Sequence, residues 1–80
     1  MITPDRLLLE QSLRQAWSDV LGIQPSIDNN FFEDGGDSLS AVELSVRYEE
    51  YSGHELPLAM LFSSGNFKDI LDSCLSDNYE

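Results

Sequence analysis

The residues whose types and spacing can do chemistry gather in one place, Gly35-Gly36-Asp37-Ser38-Leu39. Two adjacent glycines let a backbone turn sharply and approach a bulky group closely. A serine one residue beyond them, opening an apolar-periodic stretch, falls at a helix N-terminus. Its hydroxyl then points outward beside free N–H groups and the positive end of the helix dipole, a favourable seat for a phosphate ester. A serine at a helix start is more often a simple cap. These five residues alone do not separate the two uses.

Other chemistries fail on particular residues. Gly36-Asp37-Ser38-Leu39 spells the string that names a family of serine esterases, whose serine needs a histidine base. Those enzymes carry an Asp-x-x-His block near the C-terminus, but the sole histidine here is His54, with Tyr51 three residues before it. Eighty residues are also too few for that α/β fold. His54 reads as a loop residue. A calcium loop starting at Asp28 requires glycine at its sixth position and glutamate at its twelfth; Glu33 and Leu39 stand there. Cys74 is the sole cysteine, which excludes an internal disulfide and a thiolate metal cluster. No catalytic residue and no metal ligand is expected.

The elements that must position Ser38 are helices. Thr3-Pro4-Asp5 has the composition of a helix start, with a cap, a proline for the first position and an acid for the dipole. Leu9, Leu13, Ala16, Trp17 and Val20 then recur at helical spacing, and Gly22 closes the run. Residues 22–37 form a long loop, of a length usually tied to function. Its Ile23, Ile27, Phe31 and Phe32 are expected to pin it to the core. A second helix runs from Ser38 to about Ser52, capped by Asp37 or Ser38 and ended by Gly53. It carries two apolar stripes: Ala41, Leu44 and Tyr48 toward the core, and Leu39, Val42 and Val46 as a contact surface. Leu56–Phe62 is a short third helix with Pro57 in its first turn. Asn66 caps a fourth, with Phe67, Ile70, Leu71, Cys74 and Leu75 on one face. No stretch sustains strand alternation, so the fold class is all-α with four helices in one domain spanning 1–80.

Charge narrows the partners. Fifteen acids against four bases give a net charge of −11, so nucleic acid is a poor partner and a basic protein surface a natural one. Residues 28–50 hold Asp28, Glu33, Asp34, Asp37, Glu43, Glu49 and Glu50 against Arg47 alone. With no span for a membrane and no signal peptide, the expected setting is the cytoplasm.

Phe31-Phe32-Glu33-Asp34-Gly35-Gly36-Asp37-Ser38-Leu39 resembles the attachment motif of the carrier proteins of nonribosomal peptide and polyketide synthesis. Glu55-Leu56-Pro57-Leu58 with Leu61-Phe62 resembles the third-helix segment of peptidyl carriers. The resemblance covers nearly the whole chain. It implies a four-helix carrier bundle on which a phosphopantetheinyl transferase moves 4'-phosphopantetheine from coenzyme A onto Ser38, flanked by Gly36, Asp37 and Leu39. The terminal thiol then carries an aminoacyl or peptidyl cargo as a thioester, loaded in trans by an adenylating enzyme and passed to condensation or tailoring enzymes. Such a domain needs one exposed hydroxyl and no catalytic base, because its partners supply the catalysis. Leu39, Val42, Glu43, Val46 and Glu50 are the expected partner surface of a monomer.

Gly35-Gly36 and Leu56-Pro57-Leu58 favour peptidyl use over an acyl carrier of polyketide or fatty-acid synthesis, although the acidic second helix suits the latter. A non-covalent acidic docking module is the alternative of another class. A start at Met1 and an end soon after the fourth helix are what a free-standing protein would have. The chain departs from the family pattern at Asp34, where an apolar residue is usual, and at Ser52, where a large apolar residue is usual. Tyr51 is expected to turn into the second gap.

Overall fold

A computed structural model describes residues 6–77 of the chain. It contains four helices: α1 (Arg6–Leu21), α2 (Ser38–Ser52), α3 (Leu58–Ser63) and α4 (Phe67–Asp77). The helix start read at Thr3-Pro4-Asp5 lies outside the described residues. Among the described residues there is no strand, only an isolated antiparallel bridge between Asn30 and Asn66. None of these helices is long and apolar enough to cross a membrane.

Helical periodicity dictates what is buried. On α1, Leu9, Leu13, Ala16 and Trp17 are fully buried and Val20 packs at the margin. Gly22 ends the helix, its N–H donating to Ser18 O at 2.8 Å. On α2, Ala41, Leu44 and Tyr48 face inward. On α4, Phe67, Ile70, Leu71 and Cys74 complete the core, with Leu75 partly covered. Each such large side chain contributes about 1.5–3 kcal/mol by leaving water. The aromatic centre is Trp17, which meets the edges of Phe31 at 5.3 Å and Phe67 at 5.4 Å between ring centroids.

Several expectations need correction. Of the four large apolar residues in the loop, only Phe31 is buried, whereas Ile23, Ile27 and Phe32 remain partly in solvent. The loop is held instead by polar contacts, among them Arg14 donating to Pro25 O while its guanidinium lies over Phe67. Helix α3 begins at Leu58, and Pro57 is the residue before it, because Leu56 turns into the core ahead of the helix. Asn66 precedes α4, but its Oδ1 accepts from Asn30 Nδ2 at 2.9 Å and so braces the loop.

Tyr51 does not fill the gap at Ser52. It is exposed, and its hydroxyl donates to the Asp19 carboxylate across the α1–α2 seam. Arg47 reinforces that seam, reaching Asp19 at 3.6 Å and Glu43 at 3.3 Å. Ser52 is itself buried, and its Oγ accepts from His54 N at 3.0 Å, tightening the turn after α2.

Candidate functional site

Ser38 is the first residue of α2 and is exposed. The cap before it is Asp37, whose Oδ1 accepts from Ser40 N and from Ser40 Oγ, both at 2.9 Å. The Ser40 N–H bond holds the Asp37 carboxyl below its ordinary pKa, so it stays ionised at neutral pH. The choice between Asp37 and Ser38 as cap is thus settled in favour of Asp37. Among the described residues, no hydrogen bond engages the Ser38 hydroxyl. It stands at the positive end of the α2 dipole, where negative charge is favoured.

The approach to Ser38 is built on Phe31. Its ring is fully buried, and the Gly36 backbone lies directly over it. A Cβ on Gly36 would sit 2.2 Å from Phe31 Cε2, so no other residue fits there without moving the ring. Gly36 N donates back to Phe31 O at 2.9 Å. Gly35 takes a φ of 109°, a conformation open to residues without a side chain.

Two polar side chains anchor the turn between Asn30 and Gly36. Asn30 Oδ1 accepts from Phe32 N at 2.9 Å and Glu33 N at 3.2 Å, while its Nδ2 donates to Ser64 O at 3.0 Å. Phe31 N also donates to Gly65 O at 2.7 Å, fastening the turn to the α3–α4 link. On the opposite side, Asp34 Oδ2 accepts from Trp17 Nε1 at 3.1 Å and from Asn29 Nδ2 at 2.7 Å. Sequence reasoning missed both anchors. Asn30 before Phe31-Phe32 carries a readable signal, since asparagine favours such side-chain-closed turns. Asp34 reads there only as a departure from the family pattern.

The outer stripe of α2 lies in solvent, with Leu39 80%, Val42 53% and Val46 50% exposed. Glu43 and Glu50 flank it, and Glu43 is partly neutralised by Arg47. Leu58 and Phe62 on α3 are also exposed, with Phe62 6.1 Å from Phe32 between ring centroids. His54 follows the far end of α2 from Ser38, about 21 Å away along a helix of this length, so no serine–histidine pair forms. Among the described residues, no group of three or more His, Cys, Asp or Glu side chains is placed to hold a metal.

Comparison with known proteins bears on this arrangement directly. A family model described as a phosphopantetheine attachment site matches residues 11–74. Bacitracin synthase 3 of Bacillus licheniformis is 44% identical over 64 residues, covering 79% of this chain and 1% of the synthase. Tyrocidine synthase 3 of Brevibacillus parabrevis is 38% identical over 72 residues, 89% of this chain and 1% of that synthase. The chain therefore spans only 1% of the length of these relatives. A peptidyl carrier protein, solved in complex with the phosphopantetheine transferase Sfp and coenzyme A, superposes with a TM-score of 0.73 at 28% identity. That match covers 95% of this chain and 99% of the other.

Proposed function

Because the chain belongs to the phosphopantetheine-attachment family and has the helical fold of a peptidyl carrier, we propose that Ser38 bears its 4'-phosphopantetheine arm. We read residues 1–80 as one carrier domain, working as a cytoplasmic monomer in nonribosomal peptide or related natural-product synthesis. The family carries substrates rather than transforming them, so this chain contributes no catalytic group of its own. The observation that carries the reading is the exposed Ser38 hydroxyl, relieved of capping by Asp37 at the start of α2.

The residues around Ser38 suit the group. The first-turn N–H groups of α2 favour the charge of a phosphodiester. Gly35 and Gly36 put no side chain on the approach to the serine, and the Asp37 side chain holds the helix start in place by accepting from Ser40. When bound, the arm supplies a terminal thiol that holds the cargo as a thioester. The chain supplies the tether's fixed end, raising the cargo's effective concentration at each partner.

Partners follow from the surface. A phosphopantetheinyl transferase, like the one bound to the similar peptidyl carrier, installs the arm. An adenylating enzyme loads it, and condensation or tailoring enzymes unload it. Leu39, Val42 and Val46 form the apolar centre of the docking face, with Glu43 and Glu50 at its rim. The excess of acids steers encounter with a basic rim, so loading slows as salt rises.

Gly35-Gly36 and Leu56-Pro57-Leu58 support an aminoacyl cargo. The test incubates the arm-bearing protein with ATP and candidate adenylating enzymes. A hydroxylamine-labile aminoacyl adduct is the expected product. Charging by a malonyl transferase, and by no adenylating enzyme, would move the protein to the polyketide class.

A further inference from the structure

We propose that Asp34 is a positioning residue for modification of Ser38, acting through Trp17 and Asn29; this rests on the reading of Ser38 as the attachment site. The indole of Trp17 is fully buried, and a buried indole N–H needs an acceptor. Asp34 Oδ2 is that acceptor, at 3.1 Å. The same oxygen takes Asn29 Nδ2 at 2.7 Å, so two donors from different parts of the chain converge on one carboxylate. Two donors converging on one oxygen fix its position relative to both.

The two donors are themselves fixed. Trp17 is wedged between Phe31 and Phe67. Asn29 is tied to α4 through its carbonyl, which accepts from Phe67 N at 2.8 Å, and to Ser26, whose Oγ donates to Asn29 Oδ1 at 2.7 Å. Asp34 thus joins α1 and the α4 start to the turn that leads into α2. From Asp34 only Gly35, Gly36 and Asp37 intervene before Ser38. Gly35 N and Gly36 N donate back within the turn, to Phe32 O at 3.2 Å and Phe31 O at 2.9 Å, so the three residues move with it. The direction in which the turn delivers Ser38 is therefore set by Phe31 beneath Gly36 and by Asp34 beside it.

An apolar residue at 34 fills space but accepts nothing. In this chain it would strand the Trp17 N–H in the core and free the Asn29 amide. The polar departure at Asp34 is accordingly matched to Trp17 and Asn29 and is no defect in loop packing.

The experiment follows transferase-catalysed modification of the full chain with coenzyme A, in wild type, Asp34→Leu, Asp34→Asn and Asn29→Ala. Trp17 is the sole tryptophan, so its indole N–H proton resonance reports the bond directly. In Asp34→Leu the resonance should shift and exchange faster, and kcat/KM should fall at least about tenfold, since a misplacement of about 1 Å can cost about a hundredfold. Asp34→Asn keeps an acceptor oxygen and should recover most of the rate. Wild-type kcat/KM in Asp34→Leu with a displaced indole signal would overturn the proposal, as would an Asn variant no better than the Leu variant. Should Asp34→Leu fail to fold, Asn29→Ala decides: a severalfold fall supports the proposal and a wild-type rate overturns it. A wild-type chain that accepts no arm would overturn the attachment reading itself and this proposal with it.

Discussion

Gly36 rests on the ring of Phe31 so closely that a Cβ at Gly36 would lie 2.2 Å from Cε2 and 2.8 Å from Cζ. The glycine two residues before the proposed attachment serine is therefore required by packing beneath it as well as by access above it. Phe31 has no room to yield, because it is fully buried against Trp17. Gly36→Ala should destabilise the fold by about 1–3 kcal/mol, the usual cost of overpacking. It should also slow modification of Ser38 by moving the turn. Thermal melts and transferase assays on the same variant check both. Unchanged stability would mean that the ring yields without cost.

The two faces of α2 differ in what truncation does. Leu44 is fully buried, so Leu44→Ala should cost about 2–5 kcal/mol in chemical denaturation. Val46 is half exposed, so Val46→Ala should stay within about 0.5 kcal/mol of wild type. It should nonetheless weaken use of the carrier by its loading enzyme, mainly through KM. Equal destabilisation by the two variants would reverse the assignment of the faces.

Much of this helix is legible in the sequence because periodicity is a local signal. Ala41, Leu44 and Tyr48 share one side of a 3.6-residue repeat, and Asp37 and Gly53 bound it with the residue types that helix ends favour. The turn before it is not legible in the same way. Asp34 has meaning only once Trp17, seventeen residues earlier, is brought beside it. Tyr51 reads as a spare aromatic for the core, yet Asp19 draws its hydroxyl to the surface. Ser12 and Ser52 are buried without an apolar signal, since burial of a small polar residue depends on what packs over it. Long-range polar contacts leave no period to read.

Acid should loosen the α1–α2 seam. The hydrogen bond from Tyr51, then that from Gln15, holds the Asp19 carboxyl below its ordinary value, and the Ser40 N–H does the same for Asp37. A lowered folded-state pKa means that the unfolded chain binds the proton more readily. The stabilisation is then complete above the ordinary carboxylate pKa of about 3.9 and is lost as pH falls through the lower folded value. Tyr51→Phe removes the leading cause at Asp19. The gap in melting temperature between Tyr51→Phe and wild type should be largest near neutral pH and close below the folded-state pKa. A gap that persists undiminished in strong acid would show that Tyr51 acts through its ring instead.

The central claim, that Ser38 is the residue that takes the arm, is tested most directly by intact-protein mass spectrometry. The chain is treated with a phosphopantetheinyl transferase and coenzyme A beside Ser38→Ala. Asp37 is the cap of α2, so the alanine variant should keep its helical circular dichroism and its melting temperature. Wild type should gain one phosphopantetheine, located by fragmentation on Ser38, and Ser38→Ala should gain none. A gain that persists in the folded alanine variant, or a wild-type chain that gains nothing, would contradict the account.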